Sequence, residues 1–199
     1  MKNYMVAITG GIGSGKSTVC KIIKEKGYPV FSCDEIYKRL IEKEEVVLRV
    51  SEICSVAPLE TEKGVKLAKK AIADKIFTDR KLKAKLEEYT HPLIMNELIS
   101  SAKKQGGITF SEVPLLFEGG FETLFDKVII VTRDLNQRIA AVCKRDGTTK
   151  KEVENRIKNQ TDYENIQKDG HTVLYNDGDL TSLENKTVEL LSEIKKEIC

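Results

Sequence analysis

Five short apolar runs, separated by longer stretches of helical period, organise this 199-residue chain. Tyr4 to Thr9 is apolar and β-branched (Val6, Ile8, Thr9), the pattern of a strand covered on both faces. Pro29-Val30-Phe31, Ile108 to Val113, Lys127 to Thr132 and Thr172 to Tyr175 predict four more strands. After the first run, Val19, Ile22 and Ile23 recur at helical spacing until Gly27 closes the turn. Glu35 to about Gln105 reads as overwhelmingly helical, interrupted at Pro58 and Gly64 and broken again at Pro92. Leu135 to Arg145, Lys150 to Asn159 and Leu180 to Ile198 predict three further helices, the first two parted by Asp146-Gly147-Thr148-Thr149. Strands alternating with helices predict an α/β domain around a parallel sheet, with 35–105 as a helical insertion between the second and third strands. One domain covering 1–199 is expected, in which 138–160 forms a helical lid.

Between the first strand and its helix the chain reads Gly10-Gly11-Ile12-Gly13-Ser14-Gly15-Lys16-Ser17-Thr18, a full match to G-x-x-x-x-G-K-[ST] with the required flanks. The glycines let successive backbone N–H groups turn inward on an anion, and the helix start adds its positive end. Lys16 then sets a compact cation against the β- and γ-phosphates, while the Ser17 hydroxyl is placed to ligate Mg²⁺. This is a nucleotide-binding loop.

Other residues admit two readings. Asp34, past the second strand, belongs to the rim where open parallel sheets bind ligands, or else it or Ser32 caps the helix expected from Glu35. His91-Pro92 marks a loop or kink, because proline disfavours helical geometry in the residue before it; His91 is either a partly buried turn residue or a substrate contact. Glu112 falls where nucleotide-binding loops of this kind place an acid that helps hold Mg²⁺, or it points away. Arg138, Arg145 and Arg156 are either surface arginines or lid cations brought over a transferring phosphate. The dense basic residues from Lys63 to Lys85 read as a solvated helix face, with a minority left to line an anion pocket.

Composition narrows the classes. Lys and Arg total 33 against 31 acids, so no strong field recruits nucleic acid. No apolar run approaches membrane-spanning length, and no secretory signal is expected ahead of the first strand. Five cysteines (Cys20, Cys33, Cys54, Cys143, Cys199) without a C-x-x-C pair argue against a disulfide framework and for a reduced cytoplasm. A guanine-nucleotide switch is excluded by the missing Asn-Lys-x-Asp and Asp-x-x-Gly motifs. A scaffold with a vestigial site sits badly with intact Lys16, Ser17, Asp34 and Arg145. No obligate protein partner is evident.

The loop at Gly10–Thr18, Asp34, His91-Pro92, Val113-Pro114-Leu115-Leu116-Phe117-Glu118, Arg145-Asp146-Gly147, Arg156 with Gln160, and Asn176-Asp177-Gly178 together resemble bacterial dephospho-coenzyme A kinases, in order, over nearly the whole chain. The resemblance implies a P-loop kinase fold: a five-stranded parallel sheet flanked by helices, a helical substrate-binding insertion and a small helical lid. It implies transfer of the γ-phosphoryl of ATP to the ribose 3′-hydroxyl of dephospho-CoA, with Mg²⁺. It implies catalytic roles for Asp34, Lys16 and Arg145. ATP is expected on Gly11, Ile12, Gly13, Ser14, Gly15, Lys16, Ser17 and Thr18, with Asn176 and Gly178 by the adenine. The substrate is expected on Asp34, His91, Pro114, Leu115, Glu118, Arg138, Arg156 and Gln160, and the metal on Ser17 and Glu112. This chain departs from the family pattern at Glu112 (often Asp), at Lys69-Lys70 in a short 55–72 segment (where an Arg is usual), and at Ala141 (usually Arg). Arg138, two helical turns before Arg145, returns to the same face and is expected to make good the charge missing at Ala141.

Overall fold

Val6, Ala7 and Ile8 have no solvent contact, as an unbroken apolar strand covered on both faces requires. The computed structural model describes residues 3–62, 64–161, 163, 166 and 170–198. It places this strand, β1 (Tyr4–Thr9), at the centre of a five-stranded parallel sheet. There follow α1 (Lys16–Glu25), β2 (Val30–Ser32), α2 (Cys33–Leu40), α3 (Glu44–Cys54), β3 (Leu59–Thr61), β4 (Gly64–Lys66), α4 (Lys69–Thr78) and α5 (Arg80–Gln105). The chain continues through β5 (Ile108–Glu112), β6 (Lys127–Thr132), α6 (Leu135–Asp146), α7 (Lys150–Lys158), β7 (Thr172–Tyr175) and α8 (Leu180–Ile198). It divides into two compact units, residues 1–31 with 102–199, and residues 32–101.

In the first unit the strand order is β2-β5-β1-β6-β7. Register fixes what the carboxyl ends hold: Ile8 lies level with Glu112, and Thr132 with Tyr175. The phosphate-binding loop therefore leaves the middle strand at the rim where ligands bind in such sheets. Helices α1 and α8 cover the sheet with Val19, Ile22, Ile23, Leu190, Leu191 and Ile194, packed with Val6, Ile8, Phe110, Ile129 and Val131. Each of these buried side chains contributes about 1.5–3 kcal/mol. The α6–α7 hairpin has its own small core, Ile139, Val142 and Val153, against which Ile12 of the loop packs. A capping box opens α7, the Thr149 side chain and the Glu152 carboxylate each satisfying a backbone N–H of the other.

The second unit, residues 32–101, has a separate core of Ile41, Val46, Val47, Val50, Cys54, Leu67, Ile72 and Leu86. Three expectations are corrected there. The segment is not wholly helical: β3 and β4 form a small antiparallel hairpin, pairing Leu59 with Lys66 and Thr61 with Gly64. Its strands are three residues long and largely exposed, so they carry no apolar alternation, and only Pro58 and Gly64 marked them. His91-Pro92 is no break, since α5 runs continuously from Arg80 to Gln105 with Pro92 inside it. Proline in a helix interior costs about 3 kcal/mol or more. Leu86, Met95 and Leu98 are all buried along that helix, and their combined burial, about 1.5–3 kcal/mol each, outweighs the loss. Finally, α2 begins at Cys33 rather than Glu35, and Ser32 at its N-cap makes no side-chain capping bond.

Candidate active site

Two glycines of the phosphate-binding loop are dictated by what approaches them. Gly15 has φ 103°, and a Cβ there would collide with the Asn176 amide; a Cβ on Gly11 would enter the Arg138 guanidinium. At the N-cap of α1, Gly15 also supplies no capping side chain, which leaves the positive helix end to an anion. Ser14 N–H donates to Gly11 O at 3.2 Å, closing the turn. Lys16 Nζ lies back across the loop, donating to Gly10 O at 2.6 Å and Gly11 O at 3.1 Å. Its ammonium is thus already at the loop's mouth.

Ser17, one residue into α1, donates its hydroxyl to Glu112 Oε1 at 2.8 Å. The Glu112 side chain is therefore turned to the loop, as the metal reading requires. Cys20, one turn on, has its thiol pKa pushed up by burial and then by the Glu112 charge, with Lys16 opposing. The described residues contain no group of three or more His, Cys, Asp or Glu able to hold a metal. A hydroxyl and one carboxylate are hard oxygen donors, the set that suits Mg²⁺ when phosphates and water complete its shell.

The α6–α7 hairpin reaches the same loop. Arg138 is 6% exposed, so it is no solvated surface arginine. Its Nε donates to Ile12 O at 3.0 Å. Gln160, just past α7, accepts the Ile12 N–H on Oε1 at 2.8 Å. Arg145 and Arg156 share one carboxylate: Arg145 Nε and Nη2 donate to Asp146 at 2.7 and 3.1 Å, and Arg156 Nη1 at 3.0 Å. The Arg145 hydrogen bonds, then Arg156, hold the Asp146 carboxyl below the usual carboxylate range. Glu118 accepts the Thr161 N–H at 2.9 Å.

Asn176 is buried, with its Nδ2 donating to Ser14 O at 2.9 Å and its N–H to Thr132 O at 2.8 Å. Its side chain thus braces the loop, while Gly178 is exposed two residues further on. Thr18 lies in the first turn of α1. Leu115 is partly exposed after β5, and the neighbouring Pro114 carbonyl accepts from Tyr163 at 3.2 Å. In the other unit, Asp34 is exposed in the first turn of α2, and His91 is half-buried in α5.

Two roles at this site have no reading in the sequence. Asp146 stands there in the helix break and in the Arg145-Asp146-Gly147 motif, without its pairing to the two arginines, although an acid beside an arginine at a helix end is a signal of pairing. Tyr163, 3% exposed, gave no signal, because it stands in a stretch without periodicity. Burial pushes its phenol up to about 12, so it keeps its proton at any working pH.

A family model described as dephospho-CoA kinase matches residues 4–182. A dephospho-CoA kinase of Thermus thermophilus is 34% identical over 194 residues, covering 96% of this chain and 91% of that protein. A crystal structure of a Thermus thermophilus protein superposes with a TM-score of 0.80 at 32% identity, covering 97% of this chain and 98% of that one. The dephospho-CoA kinase of Campylobacter jejuni gives a TM-score of 0.66 at 26% identity, with 97% of each chain covered.

Proposed function

As the chain belongs to the dephospho-CoA kinase family, we propose that it transfers the γ-phosphoryl group of ATP to the 3′-hydroxyl of the ribose in dephospho-CoA, giving coenzyme A and ADP, the last step of coenzyme A biosynthesis. The observation that carries the chemistry is the turn of the Glu112 carboxylate onto Ser17, beside Lys16, at the mouth of the loop. Phosphoryl transfer needs positioned charge rather than covalent help from the enzyme, and this is an array of positioned charge.

In the reaction a bond forms between the acceptor oxygen and Pγ, and the bond from Pγ to the β,γ-bridging oxygen breaks. Lys16 exchanges its loop carbonyls for the β- and γ-phosphate oxygens. The backbone N–H groups of the loop and the start of α1 hold the β-phosphate. Ser17 and Glu112 are the residues that would hold Mg²⁺, which when bound neutralises β- and γ-oxygen charge. Arg145 and Arg156 carry the lid's charge to the equatorial oxygens. Asp34 orients the acceptor hydroxyl and takes its proton. His91, Leu115 and Glu118 are assigned to the acceptor. Arg138, Gln160 and Asn176 act on the loop itself. Among the described residues no helix is long and apolar enough to cross a membrane; five scattered cysteines without a C-x-x-C pair favour a reduced cytoplasm as the site of action.

The test is coupled ADP release with dephospho-CoA against adenosine, nucleoside monophosphates and shikimate. Dephospho-CoA is expected to be preferred by orders of magnitude in kcat/KM, and Lys16→Ala to lose nearly all turnover while still folding. Equal rates with the other acceptors would overturn the assignment.

A further inference from the structure

Ile12, in the loop, is held at both of its peptide groups and at its side chain by the α6–α7 hairpin. Arg138 takes its carbonyl, Gln160 its N–H, and the hairpin core its apolar side chain. Three residues past Gln160, Tyr163 continues the attachment to the root of the loop. We propose that Tyr163 is a positioning residue for phosphoryl transfer, whose hydroxyl ties the segment leaving the lid to the point where the phosphate-binding loop departs from β1. The inference rests on the kinase reading above.

Two partners meet the phenol oxygen. Thr9 Oγ1 lies 3.1 Å away. The phenol donates to Pro114 O at 3.2 Å. A phenol has one proton to give and room for two to receive. The Pro114 carbonyl can only accept, so the Tyr163 proton goes there, and Thr9 must donate to Tyr163. The oxygen then both donates and accepts, in a site almost without solvent. The ring is fixed as well, edge-on to Phe117 at 6.1 Å with 64° between planes.

Three segments converge on that single oxygen: the last residue of β1, from which the loop departs, the exit of β5, and the return from the lid. The first carries the phosphate cradle, and the second follows directly on Glu112. A shift at this junction displaces the cradle relative to Glu112, and misplacement by about 1 Å costs roughly 10²-fold in rate.

Tyr163→Phe removes the hydroxyl and keeps the ring. It is expected to lower kcat about tenfold and to weaken ADP binding, measured by equilibrium titration without acceptor, about threefold or more. The KM for dephospho-CoA should not move, nor should the melting temperature fall by more than a few degrees. Thr9→Val removes the partner from the other side and should reproduce the nucleotide effect. The double variant should be no worse than the poorer single, as expected for residues sharing one contact. A melting temperature that drops while kcat and ADP affinity stay at wild-type values would reduce Tyr163 to a structural role and overturn the proposal, as would additive effects in the double variant. Titration with ADP involves no acceptor, so it tests Tyr163 separately from the identity of the substrate.

Discussion

The hydroxyl of Ser17 and the carboxylate of Glu112 meet at 2.8 Å although 95 residues separate them. The contact follows from register: Glu112 pairs with Ile8, two residues before the loop begins, and Ser17 is the second residue of α1, where the loop ends. Charge at that carboxylate is the property the metal role needs. Glu112→Gln keeps an oxygen to accept from Ser17 and loses the charge. It is expected to lower kcat by roughly 10²-fold and to raise the Mg²⁺ concentration needed for half-maximal rate. Glu112→Asp should stay within about tenfold of wild type, since it keeps the charge and shortens the reach by one methylene. A Mg²⁺ titration curve unchanged in Glu112→Gln would remove Glu112 from the metal site.

Asp34→Asn separates helix support from chemistry. Ser32, not Asp34, occupies the N-cap of α2, without a side-chain capping bond, and Asp34 sits in the exposed first turn. There its charge favours the helix by about 0.3–1 kcal/mol. The neutral amide should therefore lower the melting temperature by only a few degrees. Loss of the proton acceptor should cost roughly 10²-fold in kcat. Turnover at the wild-type level would end the general-base assignment.

The five strands were legible because each is a short apolar run, and a buried parallel strand must be one. Tyr4–Thr9 and Lys127–Thr132 were read to the residue. The loop was legible because its chemistry fixes residue types at fixed spacing. What escaped depended on partners far along the chain. Helical period alone placed Arg138 on the face of Arg145, yet its burial comes from Ile12, 126 residues away. Tyr163 reaches Thr9 across 154 residues, and no local pattern encodes that. Pro92 misled for the opposite reason, since a local rule was applied where the packing of α5 decides.

The start of α7 gives the α6–α7 hairpin a pH dependence. Glu152 accepts from the Thr148 hydroxyl at 2.6 Å, the Thr149 N–H at 2.9 Å and the Thr149 hydroxyl at 2.8 Å. These bonds, the Thr148 hydroxyl first, hold its carboxyl down to about 2 from an ordinary 4.5. A depressed carboxylate stabilises the folded state above its unfolded pKa, and that contribution is lost as pH falls toward the folded value. The contribution should be full above about pH 5 and decline from there toward pH 2. Glu152→Gln should flatten the dependence of melting temperature on pH in that window. A wild-type profile in the variant would show that the cap does not titrate with folding.

Asp146 engages both lid arginines, and those arginines are the cations assigned to the transferring phosphoryl group. Two roles for Asp146 are distinguishable. As a competitor, it occupies guanidinium groups that a triphosphate would otherwise engage, and removing it helps binding. As a support, it aims them, and removing it harms the rate. The pairs are exposed, and exposed, screened ion pairs are weak, so competition amounts to no more than about fivefold in affinity. Asp146→Asn keeps the shape and one acceptor oxygen while removing the charge. The competitor role predicts that KM for ATP falls by up to about fivefold at low salt, with the gain shrinking as screening rises. The kcat should stay within about twofold, because the arginines reach the transition state from either start. Arg145→Ala, by contrast, should lose roughly 10²-fold or more in kcat, as a cation aimed at developing charge is removed. A large fall in kcat for Asp146→Asn, non-additive with Arg145→Ala, would make Asp146 the support of that guanidinium instead.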